Sequence, residues 1–360
     1  MRHVTKKLVC HPLPSTSVGI PIDRRFTKCY AYVLSPAVYS RRLPDGNNTA
    51  KEVRPLPVLH FYNERKYTMK TPCAIATMLT LLIVCAMIHA EETPQTLLQP
   101  ISVLDGFDVP ECAVVDPDTG FIYVSNIEAV PDEYWSDNGK GFISRLNPDG
   151  TVDALRWVDS SPQFVINSPK GMCILDGNLY VADNSRVLSI TLADGTPDRV
   201  IPVADAERLN DMATDGKAVY VSEIAAGLIL RLDLSGDNKH HTVAMLESVN
   251  GITFHGAHMY AVSWDLHEVY EIDRDGHKPP QPFGLAEHFT NLDGIEVLEN
   301  GAFIVSDFMG NKVCLISPDR QSVTTLAELD TPADIGLDRH GKRLFVPQLA
   351  SDKLAIYQLS

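Results

Sequence analysis

Phe121-Ile122-Tyr123-Val124 is a short apolar segment that recurs five more times along the chain. Each copy follows a mainly apolar run and a tight polar turn. Measured from Tyr123 and its equivalents, successive copies are 57, 40, 40, 44 and 41 residues apart. A period of this size indicates an architecture built from repeated supersecondary units. The other copies are Leu179-Tyr180-Val181, Val219-Tyr220-Val221, Met259-Tyr260-Ala261-Val262, Phe303-Ile304-Val305 and Leu344-Phe345-Val346.

The remainder of each unit predicts an all-β fold. A third strand and a Gly-containing turn follow each of the first four copies, as hairpins require. β-branched and aromatic enrichment argues against a helical solenoid of similar period. Five copies have a fourth strand and the sixth has none, whereas a spare strand-like segment, Leu97 to Leu104, precedes the first copy. We predict a six-bladed β-propeller over residues 97–360, closed by that N-terminal strand beside Leu354–Leu359.

Charge is distributed unevenly between two parts of the chain. Residues 1–68 hold twelve Lys and Arg against four Asp and Glu, a net charge of +8. Residues 91–360 hold eighteen against forty-two, a net charge of −24. An acidic body of this size repels nucleic acid and anionic membranes. We therefore expect no nucleic-acid partner, and a cation or a small neutral molecule as the ligand.

A targeting signal is predicted between residues 69 and 90. Met69-Lys70 is a basic start, residues 74–88 are almost all apolar, and Ala90 followed by Glu91 offers a cleavage point. This layout is typical of a secretory signal peptide. The apolar run is shorter than the roughly 20 residues of a membrane-spanning helix, so we expect no stable membrane insertion. We expect export to the periplasm or the extracellular space.

Residues 1–68 lie ahead of this signal and show no apolar period. Because a signal peptide normally opens its protein, we interpret Met69 as the translation start and residues 1–68 as an upstream extension. A disordered basic tail is the alternative. Beyond the signal, Cys112, Cys173 and Cys314 each lie in an apolar strand pattern, which predicts buried free thiols. We expect a monomer.

Polar residues are predicted to gather at one rim of the propeller. The first strand of each blade lines the central channel, and its start shares a rim with the end of the antiparallel second strand. Oxygen-bearing side chains around one axis are the ligands that a hard cation needs, whereas residues that only hold channel water are the alternative. First strands begin with Glu111, Lys170, Asn210 with Asp211, Asn250, Asp293 and Asp334; second strands end with Asn126, Asp183, Glu223, Asp265 and Asp307.

Four of these places carry a resemblance to a known family. Glu111 opens blade one, Arg208-Leu209-Asn210-Asp211 opens blade three, Asn250-Gly251 opens blade four and Asp293-Gly294 opens blade five. In these motifs the chain resembles the gluconolactonase and regucalcin (senescence-marker-type) family of six-bladed propellers. The resemblance covers nearly the whole mature chain.

The resemblance implies a metal-dependent hydrolase of a sugar lactone or a related small ester. Glu111, Asn250 and Asp293 would bind one divalent cation, calcium first, with zinc, manganese or magnesium as alternatives. Arg208 and Asn210 would contact the sugar-derived substrate, and Asp293 or Asp211 would handle the proton. The repeats also resemble NHL-type propellers, which are binding modules. A non-catalytic exported propeller that binds a carbohydrate, peptide or protein on the same channel face is therefore the second hypothesis.

The chain departs from the family pattern at three places. Cys112-Ala113 stands where a Pro usually follows the Glu, and Met212 stands where a Gly usually follows Asn-Asp. Lys170 begins blade two on the same rim. Its ammonium would replace a metal by neutralising the carboxylates, bind an anionic substrate, or point outward into solvent.

Blade one contains an extra segment. Its repeat is 57 residues long against 40 for the next, and part of the excess lies between Ser125 and Phe142. A loop that leaves the end of a second strand emerges on the rim that carries Glu111, so residues 126–140 are predicted to cover the channel mouth. Trp135 would then offer a flat apolar face to a sugar ring. A loop packed sideways on blade two is the alternative.

Overall fold

Strand pairing in the computed structural model, which describes residues 97–235 and 239–360, confirms the six-bladed propeller. Its strands form six antiparallel four-stranded sheets. The expected upstream extension (residues 1–68) and signal peptide (69–90) lie outside the described residues. No helix in the described ranges is long and apolar enough to cross a membrane.

Five blades use four strands that are consecutive in the chain. Blade one is β2 (Pro110–Val115), β3 (Ile122–Asn126), β4 (Phe142–Leu146) and β5 (Val152–Asp159). Blade two is β6 (Pro169–Leu175), β7 (Asn178–Asp183), β8 (Arg186–Thr191) and β9 (Pro197–Pro202). Blade three is β10 (Leu209–Thr214), β11 (Val219–Glu223), β12 (Leu228–Leu232) and β13 (His240–Met245).

The remaining blades complete the ring. Blade four is β14 (Val249–His255), β15 (His258–Ser263), β16 (Glu268–Ile272) and β17 (Gln281–Pro282). Blade five is β18 (Leu292–Val297), β19 (Phe303–Asp307), β20 (Lys312–Ile316) and β21 (Val323–Glu328). Blade six is β22 (Gly336–Asp338), β23 (Arg343–Gln348), β24 (Lys353–Gln358) and β1 (Ser102–Asp105). Short 3-10 helices occupy Pro131–Glu133, Ala286–His288 and Leu349–Ser351.

The N-terminal strand closes the ring as predicted. β1 pairs with β24, with Leu104 opposite Leu354, and the Ile101 N–H donates to the Ile356 carbonyl at 2.8 Å. The strand begins at Ser102 and not at Leu97, because Pro100 has no N–H to donate to a ladder. Leu98 instead donates its N–H to Leu326 in blade five at 2.7 Å.

The apolar core lies between neighbouring blades. The six recurring apolar segments fall in second strands, except for Phe121, which immediately precedes β3. Their β-branched and aromatic side chains are covered by a sheet on either side. One cluster, for example, joins Tyr180 and Val187 of blade two to Met212 and Val221 of blade three. The three cysteines of the described region are free and buried in these layers, as predicted.

Candidate functional site in the central channel

A β-bulge recurs at the same register in five first strands and creates the site. Pro110 of β2 pairs with Asn126, and the next pair is Ala113 with Val124, so β2 has one residue more than β3. The same shift occurs in β6, β10, β14 and β18. A bulge re-aims side chains and leaves an extra residue outside the ladder. Two consecutive residues of each first strand therefore reach the channel at different depths.

These pairs form two layers across the channel. In blade six, Asp334 lies level with the second residue of each pair, because it forms a parallel β-bridge with Cys112. We name the end of the propeller where the second strands finish the upper rim. The upper layer comprises Glu111, Lys170, Asn210, Asn250 and Asp293; the lower layer comprises Cys112, Gly171, Asp211, Gly251, Gly294 and Asp334.

Serine hydroxyls on the second strands compensate for the broken ladder. The N–H groups of Cys112 and Asp211 donate to Ser125 Oγ at 3.0 Å and Ser222 Oγ at 2.8 Å. Gly294 makes the equivalent bond to Ser306 at 2.7 Å. A buried N–H without an acceptor is costly, so these serines stabilise the bulges. Their role is structural.

Glycines in the lower layer give its carboxylates room. A Cβ on Gly171 would lie 2.4 Å from Asp211 Oδ1, and one on Gly294 would lie 2.5 Å from Asp334 Oδ1. Such distances are far inside van der Waals contact. The recurring glycine after a polar residue is thus a packing requirement between neighbouring blades.

The upper layer brings together the three residues implied as metal ligands. Glu111, Asn250 and Asp293 are 5%, 2% and 6% exposed. The Asn250 amide donates to the Leu292 carbonyl at 3.4 Å, and its proximity to the Asp293 carboxylate favours the charged form of that group by lowering its pKa. Glu111 Oε2 and Asn250 Oδ1 are both buried without a hydrogen-bond partner. Two unsatisfied oxygens beside a carboxylate form a donor set that suits a hard cation.

Burial and mutual repulsion raise the pKa values of these carboxyl groups. Burial and the nearby Asp211 charge raise the pKa of Asp293 to about 7. The pKa of Glu111 is raised well above its usual range, chiefly by burial, and Lys170 opposes the shift. The four buried carboxylates of the two layers, Glu111, Asp211, Asp293 and Asp334, face one buried ammonium in the described channel. Protons or a further cation are needed to balance that charge.

Lys170 is buried in the ring, so its interpretation as an outward-pointing solvated side chain is wrong. It is 3% exposed, and its ammonium donates to the Tyr134 carbonyl at 2.8 Å. Burial lowers the pKa of Lys170 to about 8, whereas the charges of Glu111, Asp183 and Asp293 raise it. The ammonium thus contributes one positive charge to the upper layer.

The loop of residues 127–141 covers this end of the channel on the side of blade two. The Trp135 ring centroid lies 4.2 Å from Lys170 Nζ and 5.6 Å from the Arg208 guanidinium carbon. The loop is also tied to blade two, since Ser168 Oγ donates to the Ser136 carbonyl at 2.9 Å. Asp137 accepts hydrogen bonds from the side chains of Asn167 and Asn184. The loop therefore lies over the channel mouth and also packs against blade two, so both predicted positions are observed.

The two implied substrate contacts lie at different depths. Asn210 is buried in the upper layer, whereas Arg208 is exposed at the upper rim. Asp211 lies one layer below Asn210, and its two oxygens accept the N–H groups of Met212 and Ile252, each at 2.6 Å. The backbone bonds hold Asp211 toward the lower layer. Asp293 is therefore the proposed proton-handling residue that shares a layer with Glu111 and Asn250.

The side chains at the ends of the second strands were predicted to belong to a ring of cation ligands, but they bind the backbone instead. Asp183 accepts backbone N–H groups of Asn167 and Ser168, and Asp307 accepts those of Thr290 and Asn291. Glu223 binds the N–H of Arg208 at 2.7 Å, and Asn126 binds that of Asp108. These side chains anchor the loop that enters each blade. They are occupied by the backbone and do not offer free ligands; Asp265, beyond β15, binds Ser248 Oγ.

The sequence interpretation missed the lower layer as a separate site. Cys112, Asp211 and Asp334 offer ligand-type atoms that all lie within 4.8 Å of one another, and all three are buried. A signal was present: Gly follows the upper-layer residue in blades two, four and five, and Ser precedes the end of the second strand in blades one, three and five. Both patterns mark the bulge.

Comparison with known proteins found similarity to solved structures alone. No family model and no curated protein matches the chain. A Bacteroides thetaiotaomicron protein of unknown function matches with a TM-score of 0.55 at 16% identity, over 72% of this chain and 73% of that one. Virginiamycin B lyase from Staphylococcus aureus, crystallised as an inactive variant with quinupristin, gives 0.48 and 16%, over 72% and 99%. A chain of the nidogen/laminin complex gives 0.48 and 16%, over 61% and 90%. At this identity, the first likeness shows the propeller fold alone.

Proposed function

We propose that the protein is an exported, metal-dependent hydrolase of a sugar lactone or a related small ester, acting at the upper layer. The observation that carries this proposal is the pair of unpartnered buried oxygens, Glu111 Oε2 and Asn250 Oδ1, near Asp293. Buried polar atoms normally have a partner, and an orphaned one calls for a ligand or an ion. Carboxylate and amide oxygens are the ligands that calcium takes.

The charge of the channel supports a cation at the same place. Lys170 balances one of the four buried carboxylates of the two layers. A divalent ion held by Glu111, Asn250 and Asp293 would balance two more. The resemblance to gluconolactonases points to the same three residues. The donor set therefore fits one hard divalent cation, for which we propose calcium.

The residues around this position suit the hydrolysis of a small cyclic ester. A divalent cation bound there would polarise the ester carbonyl. Arg208 and Asn210 would orient the substrate hydroxyls, and Trp135 would stack on the ring of the substrate and exclude water. Asp293 has a pKa of about 7 in the metal-free protein, which suits a group that exchanges a proton near neutral pH.

One observation favours the non-catalytic alternative. The buried Lys170 ammonium already lies in the ring and is capped by the Trp135 face. In that case Lys170 takes the place of a metal, and the upper rim binds a carbohydrate, peptide or protein without chemistry. The metal content of the purified protein separates the two functions.

The experiment compares Asp293→Ala with a matched channel variant. We expect Asp293→Ala to lose bound calcium and hydrolysis of an aldonolactone panel together, and chelation of the wild type to have the same effect. Glu296→Gln is the control, because Glu296 lies deeper in the channel and is paired with Arg339 at 2.8 Å. It should retain the metal. Unchanged metal content in Asp293→Ala would favour the non-catalytic function.

Export is proposed from the signal at residues 69–90. If translation starts at Met69 and cleavage follows Ala90, N-terminal sequencing of the native protein should begin at or near Glu91. Recovery of an exported protein that begins with Met1 would contradict this proposal.

A further inference from the structure

A cavity opens at the lower rim, at the opposite end of the channel from Trp135. It has a volume of about 580 Å³ and extends from Asp116–Gly120 at its mouth to Asp211 and Asp334 at its floor. That volume lies within the range of small-molecule sites, about 300–1,000 Å³. The proposed metal ligands of the upper layer do not line it. This cavity is therefore separate from the proposed hydrolase site.

The wall of the cavity directly beneath the floor is apolar. The residue after each lower-layer position contributes to it, so five blades place a large aliphatic or thioether side chain at one height, each about 3% exposed and otherwise packed between blades. The partly buried side chains of Val114, Ile174 and Phe254 extend this apolar wall toward the mouth. Such a band favours an uncharged, hydrophobic body. The band consists of Met172, Met212, Ile252, Ile295 and Ile335, with the smaller Ala113 in blade one.

The floor of the cavity is acidic and held in place. Both oxygens of Asp211 accept backbone N–H groups, and Cys112 Sγ lies within 4.8 Å of a carboxylate oxygen of Asp211 and of Asp334. Gly171 and Gly294 leave the space that these carboxylates occupy, since a Cβ at either position would collide with them. Asp211 is fixed by backbone contacts, and Asp334 lies beside it at the end of the apolar part of the cavity.

The described lining provides no cation for this floor. Its basic residues are Arg339 and His340 at the mouth. The Arg339 guanidinium forms an ion pair with the Glu296 carboxylate at 2.8 Å and also donates to the Val297 carbonyl. Lys170 belongs to the upper layer, where Tyr134 and Trp135 hold it. The charge of the floor is therefore balanced either by protons, since burial raises the pKa values of Asp211 and Asp334, or by a positive charge that a ligand supplies.

We propose that this cavity binds an organic amine, with the ammonium group against Asp211 and Asp334 and an apolar body against the Met and Ile band. A bare metal ion would satisfy the carboxylates but would leave the apolar volume unfilled. A neutral hydrophobic molecule would fill the volume but would leave the carboxylates without a cation. An amine with a short alkyl or aryl body meets both requirements.

The test uses 2-phenylethylamine as the probe and 2-phenylethanol as its neutral isostere, with binding to the full chain measured by calorimetry. We expect one amine per protein and at least tenfold weaker binding of the alcohol. Asp334→Asn should weaken amine binding at least tenfold, whereas Arg339→Gln should strengthen it by removing a cation from the mouth. The comparison of the two ligands on the wild type needs no variant, so it remains decisive if Asp334→Asn does not fold.

Four results would overturn the proposal. Equal binding of amine and alcohol, or no binding of the amine at millimolar concentration, would remove the role of the charge or of the cavity. Loss of amine binding in Glu111→Gln but not in Asp334→Asn would place the amine in the upper layer. Tight Cd²⁺ binding that is abolished by Asp334→Asn, with no amine bound, would make the lower layer a metal site. None of these readouts depends on hydrolysis, so failure of the hydrolase proposal leaves this one open to test.

Discussion

The Lys170 ammonium lies 4.2 Å from the centroid of the Trp135 ring, and it donates a 2.8 Å hydrogen bond to the carbonyl of the preceding residue, Tyr134. The covering loop is thus attached to the polar ring by one side chain. A cation–π contact of this kind contributes about 0.5–2 kcal/mol, according to its exposure. The contact places the Trp135 ring directly against the upper layer.

Trp135→Ala should therefore weaken substrate binding with little effect on the metal. We expect KM to rise about tenfold, because the variant deletes an apolar face of the substrate site and no ligand to the ion. Bound calcium should be unchanged. Trp135→Phe, which retains a flat ring, is the matched control and should keep most of the affinity. An unchanged KM with a clear loss of thermal stability would show that Trp135 is a packing residue.

Lys170→Met distinguishes the two proposed functions. If a divalent cation shares the upper layer with Lys170, removal of the ammonium relieves repulsion, and calcium affinity should rise by about tenfold or more. If Lys170 replaces the metal, the variant leaves buried carboxylates uncompensated and should lose about 3–5 kcal/mol of stability without binding calcium.

The control for this variant is Lys312→Met. Lys312 lies 3.6 Å from Asp307 at the upper rim and outside the two channel layers. Its replacement should leave calcium affinity unchanged, because neither Lys312 nor Asp307 belongs to the proposed ligand set. Calorimetric titration with calcium and thermal denaturation of the same samples provide both measurements.

The pH dependence of the metal-free protein follows from Asp211 and Asp293. Burial raises the pKa of each to about 7, with the Asp211 charge adding to the shift of Asp293. An unfolded Asp has a pKa of about 3.9, so the folded protein binds more protons between these values. The stabilisation is complete below about pH 4 and is lost as the pH rises through about 7.

We therefore expect the metal-free protein to melt at a lower temperature at about pH 8 than at about pH 5.5, by at least about 4 °C. Saturating calcium should remove most of the difference, because it compensates the ionised carboxylates. Asp293→Asn should reduce the difference in metal-free protein. A melting temperature that rises between these two pH values would mean that the carboxylates are not desolvated in solution.

Gly171→Ala tests the packing of blades two and three at the lower layer. The new Cβ would lie 2.4 Å from the Asp211 Cα, and the backbone there can yield little. We expect a loss of about 3 kcal/mol, at the upper end of overpacking costs. Gly177→Ala is the control: its Cβ meets nothing within 4 Å, and only its φ of +76° opposes the change, at about 1–2 kcal/mol. Equal losses in denaturant unfolding would contradict the close approach.

The architecture could be predicted from the sequence because each blade of a propeller repeats the same pattern of strands and turns. Each copy of the Tyr123-type segment forms a buried second strand, and its period counts the blades. The spare N-terminal strand and the missing fourth strand of the last blade predicted the closure. These are local patterns of strand propensity, alternation and turn residues, and the six copies reinforce one another.

The sequence predicted only part of the arrangement of polar residues in the channel. The sequence determined that Glu111, Asn250 and Asp293 begin first strands on one rim, because antiparallel pairing fixes which strand ends meet. Only the tertiary structure decided that Asn210 and Asp211, adjacent in the chain, lie in different layers, since a bulge is a mismatch between two strands. It likewise decided that Lys170 is buried beneath Trp135 and that Asp211 receives the N–H of Ile252, 41 residues away. Residues of neighbouring blades create those environments. The sequence of one strand does not indicate which side chains of the next blade will contact it.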